Sequence, residues 1–293
     1  MAKLPFGRLI TAMVTPFTSN GSLDLDEARR LAAYLVDEQG NDSLVVNGTT
    51  GESPTTDDTE KFDLLKAVKA EVGDRAKVIA GVGTNETAAT IKRCHDAQEA
   101  GSDGVLVVTP YYSKPPADAL EEHFLLVADA TELPVMLYDI PGRSGIPIPE
   151  ESLIDLARHP RICAVKDAKG DVVSSAKVMS VTDLDYYSGD DAMTLPLLSV
   201  GGVGLVGTST HFTGAATKEW MNLLADGATA EALEVYRRLL PVYTGVFATQ
   251  GVMLVKAGLA NRGFKPAVLR RPLKAASSQQ TRTFVQLLEE AGL

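Results

Sequence analysis

Arg161-Ile-Cys-Ala-Val-Lys-Asp-Ala-Lys-Gly170 runs four apolar residues, Ile162 to Val165, straight into Lys166. A short apolar run of this kind reads as a fully buried strand. An amine at its end is costly to keep charged away from water, so burial lowers its pKa. A neutral amine on a rigid strand attacks carbonyls and forms Schiff bases. The plainer reading is a lysine that ends a strand and reaches solvent along its aliphatic stem. What surrounds this strand decides between the two.

On its N-terminal side, Val135-Met-Leu137 leads into Tyr138-Asp-Ile-Pro-Gly-Arg143, and a helical pattern follows over 150–158. On its C-terminal side, Tyr186-Tyr187 ends in Ser188-Gly-Asp-Asp191, and Val203-Gly-Leu-Val206 ends in Gly207-Thr-Ser209. Further upstream the same alternation holds. Leu9-Ile-Thr-Ala-Met-Val14 stops at Thr15-Pro16, and helical spacing covers 25–39 with Leu31, Tyr34 and Leu35 on one face. There Asp24 and Glu27 fit an N-cap with its capping-box partner, and Gly40 fits the stop. Leu44-Val-Val46 ends in Asn47-Gly-Thr-Thr-Gly-Glu52 before a helix over 56–72. Lys77-Val-Ile-Ala80 leads to Gly81-Val-Gly-Thr-Asn85 and a helix through Cys94. Gly104-Val-Leu-Val-Val108 leads to Thr109-Pro-Tyr-Tyr112 and a helix over 117–130.

Eight strands, each followed by a helical pattern, predict a parallel α/β fold, and eight is the closure number of the (β/α)8 TIM barrel. An open doubly wound sheet is the rival, but no Gly-x-Gly-x-x-Gly follows the first strand. Gly201-Gly-Val-Gly204 precedes a strand and reads as a helix-to-strand turn. Beyond Asp226-Gly227 the pattern becomes wholly helical, over 230–240, 252–260 and 278–291. The expected organisation is a catalytic barrel over 1–226 and a C-terminal helical extension over 227–293 that serves packing or subunit contact. The length, 293 residues, suits one barrel domain with additions.

The chain carries 38 acidic and 28 basic residues and a formal net charge of −10. That balance argues against nucleic acid and membrane surfaces as partners. Cys94 and Cys163 are too few for a disulfide framework and read as buried thiols suited to a reducing, cytoplasmic setting. The N-terminal Met-Ala-Lys-Leu-Pro-Phe-Gly shows no long apolar segment, so neither a signal peptide nor a membrane span is expected.

A barrel enzyme keeps its chemistry where strands meet the following loops. The polar residues there are Thr15, Thr49, Thr50, Thr84, Tyr111, Tyr112, Tyr138, Arg143, Lys166 and Gly189. They include no histidine and no pair of carboxylates. His95, His123, His159 and His211 are scattered without metal-ligand spacing and read as surface or partly buried imidazoles. Metal hydrolysis and a histidine triad are therefore disfavoured, leaving amine catalysis helped by hydroxyls that relay protons. Gly48 and Gly51 flank Thr49-Thr50, a turn whose N–H groups can converge on a carboxylate. Pro141 and Gly142 turn the chain and bring Arg143 beside Tyr138.

Gly48-Thr-Thr-Gly-Glu52, Val108-Thr-Pro-Tyr-Tyr112, Tyr138-Asp-Ile-Pro-Gly-Arg143, Val165-Lys-Asp-Ala-Lys-Gly170 and Ser188-Gly-Asp-Asp191 occur in this order. Together they resemble the dihydrodipicolinate synthase family, within the class I aldolase and N-acetylneuraminate lyase superfamily. The likeness covers nearly the whole chain from Gly7. The wording of Gly51-Glu-Ser-Pro-Thr-Thr56 and Thr109-Pro-Tyr-Tyr-Ser-Lys-Pro-Pro116 is similar to the actinobacterial branch.

The resemblance implies condensation of pyruvate with L-aspartate 4-semialdehyde, the first committed step of the diaminopimelate route to lysine, with no cofactor or metal. It puts the Schiff-base lysine at Lys166 and a proton relay on Thr50, Tyr112 and Tyr138, with Tyr112 supplied across a dimer interface. It places the pyruvate carboxylate at Thr49 and Thr50, that of the semialdehyde at Arg143, and backbone contacts beside the lysine at Gly189 and Val206. The assembly expected is a homodimer or a dimer-of-dimers tetramer. An N-acetylneuraminate or 2-keto-3-deoxy sugar acid lyase would share Lys166 and Tyr138. Arg143 suits a short carboxylated aldehyde better than a polyol. A catalytically silent barrel that only binds would be expected to lack part of this set. Relatives that bind lysine as an inhibitor carry histidines and a glutamate where this chain has Asp58, Lys61 and Ala89, while Asn85 and Tyr111 remain. Weak inhibition by lysine is expected.

Overall fold

The computed structural model describes residues 4–293; the reading of residues 1–3 as part of a leader-free N-terminus lies outside it. Eight parallel strands close into a barrel in sequence order. They are β1 (Leu9–Ala12), β2 (Ser43–Val46), β3 (Lys77–Gly81), β4 (Gly104–Val108), β5 (Val135–Asp139), β6 (Ile162–Asp167), β7 (Asp185–Ser188) and β8 (Gly204–Gly207). β1 pairs with β8, so the ring has no free edge. The helices are α1 (Leu25–Asp37), α2 (Asp58–Val72), α3 (Thr87–Glu99), α4 (Ala117–Asp129), α5 (Pro141–Ser144) and α6 (Glu150–Leu156). They continue with α7 (Val172–Met179), α8 (Thr194–Ser199), α9 (Thr210–Ala225), α10 (Thr229–Gly245), α11 (Gly251–Asn261) and α12 (Ser278–Glu290). The expected (β/α)8 barrel with C-terminal helices is the fold observed. No described helix is long and apolar enough to cross a membrane.

Strand alternation divides the apolar residues into two cores. Ile10, Val45, Ile79, Leu106, Met136, Ala164 and Val206 fill the barrel interior, with Phe6 and Tyr187. The residues between them, such as Leu44, Val78, Val107, Leu137 and Val165, face the helices. Both faces are buried, which is why these strands read as continuous apolar runs. Phe6 packs so tightly that a Cβ on Gly104 would lie 2.4 Å from its ring. The outer core runs without a break into the C-terminal helices: Ala232, Leu239 and Tyr243 of α10 and Phe284 and Leu288 of α12 belong to it. Trp220 of α9 is fully buried and donates its indole N–H to the hydroxyl of Tyr243 at 3.0 Å.

Several local expectations change in the folded chain. The helix expected over 150–158 forms as α6, but the turn before it adds the single helical turn α5, which Pro141 opens and Gly145 ends at φ 88°. Asp24 caps α1 by accepting from the N–H of Glu27. The Glu27 carboxylate turns away instead and accepts from the backbone N–H of Lys265 at 2.6 Å. His211 is fully buried rather than peripheral: Nε2 accepts from the Val14 N–H at 3.2 Å and Nδ1 donates to the Thr208 carbonyl at 2.8 Å. His123 is buried as well, bonded through Nδ1 to Thr87 at 2.9 Å. Burial pushes both imidazoles down to about 4, so they stay neutral. Cys94 is buried as expected, whereas Cys163 is only partly so.

Candidate active site

Barrel register brings the central pair together. Tyr138 of β5 and Lys166 of β6 are lateral partners, and Lys166 is the partner of Tyr187 on its other side. Because Val135, Leu137 and Val165 point to the helices, Met136, Tyr138, Ala164 and Lys166 point inward. The Lys166 ammonium nitrogen lies 4.1 Å from the centre of the Tyr138 ring. Both side chains are 5% exposed. Desolvation lowers the Lys166 pKa to about 7; Asp191 opposes the shift and Arg143 adds to it. Desolvation likewise raises the Tyr138 phenol, so it keeps its proton at neutral pH. The Tyr138 carbonyl is held by the N–H and hydroxyl of Thr109, each at 3.1 Å.

Gly189 lies against the lysine. A Cβ there would sit 3.1 Å from both Lys166 Cγ and Cε and 2.9 Å from Ala168 Cβ. Only glycine leaves the amine its room at this point. Beyond it, Asp191 is fully buried and accepts from the N–H groups of Thr208 and Ser209 at 3.1 and 2.9 Å, and from the Ser209 hydroxyl. It thereby holds the segment after β8 against the lysine. The sequence motif ending in Asp191 was legible, but this anchoring was not.

The turn after β2 is equally constrained. Gly51 N–H donates to Gly48 O at 3.0 Å, and Glu52 N–H donates to Thr49 O at 3.1 Å. The Thr15 hydroxyl, at the end of the β1 segment, holds the Gly51 carbonyl at 2.7 Å. Thr49 and Thr50 therefore face the lysine across the barrel mouth. A cavity is lined by Thr49, Thr50, Tyr138, Arg143, Lys166 and Gly189. A second opening shares Thr49, Tyr138, Ile140 and Arg143 with it and extends to Asn47, Ser53 and Tyr111. Arg143, on the single turn α5, borders both and is itself solvent-exposed.

Two residues of the expected set are absent from this lining. Val206 is buried in the barrel interior, and Thr208, two residues on, borders the cavity. Tyr112 stands apart from this cavity, 91% exposed, at a backbone φ of 75°. Four residues that sequence reading did not single out also line the lysine's cavity: Phe247, Gln250, Gly251 and Val252. Phe247 and Gln250 lie in the break between α10 and α11, and Gly251 and Val252 open α11, more than eighty residues past Lys166. No strand-end signal marks them. Among the described residues, no group of three or more His, Cys, Asp or Glu side chains is placed to hold a metal ion.

Comparison with known proteins agrees with this geometry. The model of the Dihydrodipicolinate synthetase family matches residues 5–291. A 4-hydroxy-tetrahydrodipicolinate synthase of Cutibacterium acnes is 60% identical over 288 residues, covering 98% of each chain. That of Acidothermus cellulolyticus is 57% identical, covering 98% of this chain and 93% of the relative. The crystal structure of the Cyanidioschyzon merolae enzyme with lysine bound superposes with a TM-score of 0.96 at 39% identity, over 99% of this chain and all of that one. An inward lysine on β6, a phenol beside it on β5 and near-complete coverage by such relatives lead to one conclusion: the chain belongs to the dihydrodipicolinate synthetase family.

Proposed function

We propose that the chain condenses pyruvate with L-aspartate 4-semialdehyde to 4-hydroxy-tetrahydrodipicolinate, through an imine on Lys166. The observation that carries the assignment of the nucleophile is the buried amine. Its pKa is lowered to about 7 beside the Tyr138 ring, and it borders a cavity that also holds paired threonines and an arginine. Lys166 attacks the ketone carbon of pyruvate, and the carbinolamine loses water to give the imine. Tyr138, kept protonated by burial, donates the proton that leaves with that water and takes part in the loss of a methyl proton that forms the enamine. Thr50 and Tyr112 pass protons onward, since each hydroxyl both donates and accepts. The enamine carbon then attacks the aldehyde. The amino group of the bound semialdehyde displaces Lys166 and closes the ring, releasing the free enzyme. The net change is the loss of one water.

Thr49 and Thr50 hold the pyruvate carboxylate and Arg143 that of the semialdehyde; the backbone about Gly189 and Val206 frames the lysine. A cation at Arg143 favours the carboxylated aldehyde over a sugar-acid chain. Tyr112 reaches the site of a second copy of the chain. Its exposure and left-handed backbone support that reading, because a bulky side chain rarely holds such a conformation facing only water. The assembly is then a homodimer or a pair of dimers. The unpaired thiols suit a cytoplasmic setting. Borohydride trapping with pyruvate, read by peptide mass, tests the core of the reading: a stable adduct is expected on Lys166. An adduct at full yield in Lys166→Ala would overturn it. Assay with the semialdehyde beside N-acetylneuraminate and 2-keto-3-deoxygluconate tests the substrate.

A further inference from the structure

Two residues past Thr50, Glu52 adopts a left-handed backbone, φ 54° and ψ 35°. A residue other than glycine holds that conformation only when its surroundings over-determine it. Here they do. The Glu52 side chain is fully buried, and its Oε1 lies 2.5 Å from Nζ of Lys256 on α11, itself 6% exposed. Its Oε2 accepts from the backbone N–H of Arg270 at 3.0 Å. Lys256 donates also to the Val268 carbonyl at 2.7 Å. Phe17 lies between the two cations, its ring centre 4.4 Å from Lys256 Nζ and 4.3 Å from Arg270 Cζ. Arg270 continues to the Gly21 and Thr55 carbonyls at 2.8 Å each and grips both oxygens of Glu60 at 2.5 and 2.6 Å.

The helix that supplies Lys256 also brings Gln250, Gly251 and Val252 to the lysine's cavity at its N-terminal end. Lys256 is absent from that lining, and both its partners belong to the protein. Backbone bonds from Gly51 to Gly48 and from Glu52 to Thr49 tie the turn, so the Glu52 backbone is coupled to Thr49 and Thr50. We infer that Glu52 and Lys256 are positioning residues: through this buried pair, the C-terminal helical extension holds the paired threonines where the pyruvate carboxylate docks. When one partner alone is removed, an uncompensated buried charge remains, and the left-handed residue relaxes toward negative φ. The inference rests on the reading of Thr49 and Thr50 as the carboxylate contacts.

The test measures how borohydride trapping and steady-state turnover depend on pyruvate. Lys256→Met is expected to raise the half-saturating pyruvate concentration by at least about tenfold. Glu52→Gln, which keeps the shape and one carbonyl oxygen, is expected to raise it by at least about threefold. The double variant is expected to be no worse than Lys256→Met, because the unpaired carboxylate is gone. KM for the semialdehyde should stay near the wild-type value in all three. Lys265→Met provides the control, since it removes another ion pair of the extension, to Asp24 at 2.6 Å; pyruvate dependence is expected to be unchanged there whatever the melting temperature does. Smaller rises than these, or an equal rise in both KM values, would overturn the inference. If Lys256→Met does not fold, Glu52→Gln decides alone. A wild-type chain that traps no pyruvate at all would overturn the Schiff-base reading, and this inference with it. A wild-type adduct with unaltered variants would overturn this inference alone.

Discussion

The two ends of the proposed proton path, Lys166 and Tyr112, occupy opposite environments. Lys166 is 5% exposed on a strand hydrogen-bonded on both sides, and its neighbours on β5 and β7 set its direction. Tyr112 is 91% exposed in a segment with no regular structure, at a φ that its side chain disfavours. A closed barrel builds a nucleophile from its own strands, because burial and direction both come with the sheet. It does not complete a proton exit in the same way, since the loop that carries Tyr112 points out of the molecule. On the reading proposed above, the second copy of the chain supplies what one barrel leaves open.

The strongest way to break this contrast is at its buried end. Lys166→Ala is expected to remove the pyruvate adduct and to lower turnover by roughly four powers of ten or more. Retained turnover above about a hundredth of wild type would show that another group carries the chemistry. At the exposed end, Tyr112→Phe is expected to lower kcat by roughly two to three powers of ten, the range of a lost proton-transfer group. Mixing it with Lys166→Ala subunits should restore roughly a quarter of wild-type activity, since half of the randomly formed dimers carry one intact site of two. No recovery despite proven subunit exchange would mean that Tyr112 acts within its own chain, and an unchanged kcat in Tyr112→Phe that it does not act at all.

Arg143 lies between the two extremes, bordering the buried cavity while open to water. Its exposure weakens a charge-assisted contact, so Arg143→Ala is expected to cost about 1.5–3 kcal/mol, roughly ten- to hundredfold in kcat/KM for the semialdehyde. Pyruvate trapping should survive. Equal damage to both substrates would show that Arg143 shapes the site generally.

The lowered pKa of Lys166 has its own signature. Burial raises the free amine fraction at neutral pH, so imine formation should rise as pH increases through about 7 and level off above it. Between pH 6 and 8 that rise is about tenfold, where an ordinary lysine would go on climbing toward its usual pKa near 10.4. A rate that keeps climbing past pH 9 would show a solvated amine. Because the Arg143 charge adds to the shift, Arg143→Ala should move the inflection upward.

The smallest effect expected is inhibition by lysine. Asp58, the nearest candidate to replace the missing glutamate, is held by Arg93 at 3.0 Å and Lys92 at 3.4 Å. The Lys61 ammonium is turned onto the Ser53 carbonyl at 2.9 Å, at the edge of the second opening. A like charge and an occupied carboxylate leave the effector's ammonium groups poorly matched. Titration should show little loss of activity at millimolar lysine; half-inhibition below about 1 mM, a binding free energy of roughly −4 kcal/mol or better, would overturn this and implicate Asp58 as the replacement partner.

Much of the site was legible because its signals are local. An apolar run that ends in Lys166 declares a buried strand with an amine at its end. Thr49-Thr50 between two glycines, and Tyr138 just before Pro141-Gly142, declare strand ends that turn toward a barrel mouth. Period-two alternation then dictates which residues face inward, and eight repeats dictate closure. What the sequence could not state is which distant segments meet. The register that sets Tyr138 beside Lys166 and the depth that lowers the amine's pKa are properties of the closed ring. The diversion of Glu27 from a capping box to Lys265 comes from the segment after α11 packing on α1. The C-terminal helices read as packing elements, yet Gln250, Gly251 and Val252 border the lysine's cavity, and Lys256 meets Glu52 across 204 residues of chain. Patterns along a chain encode the direction of a side chain relative to its own strand or helix. Contacts between remote segments depend on how those elements pack, and only the tertiary structure decides them.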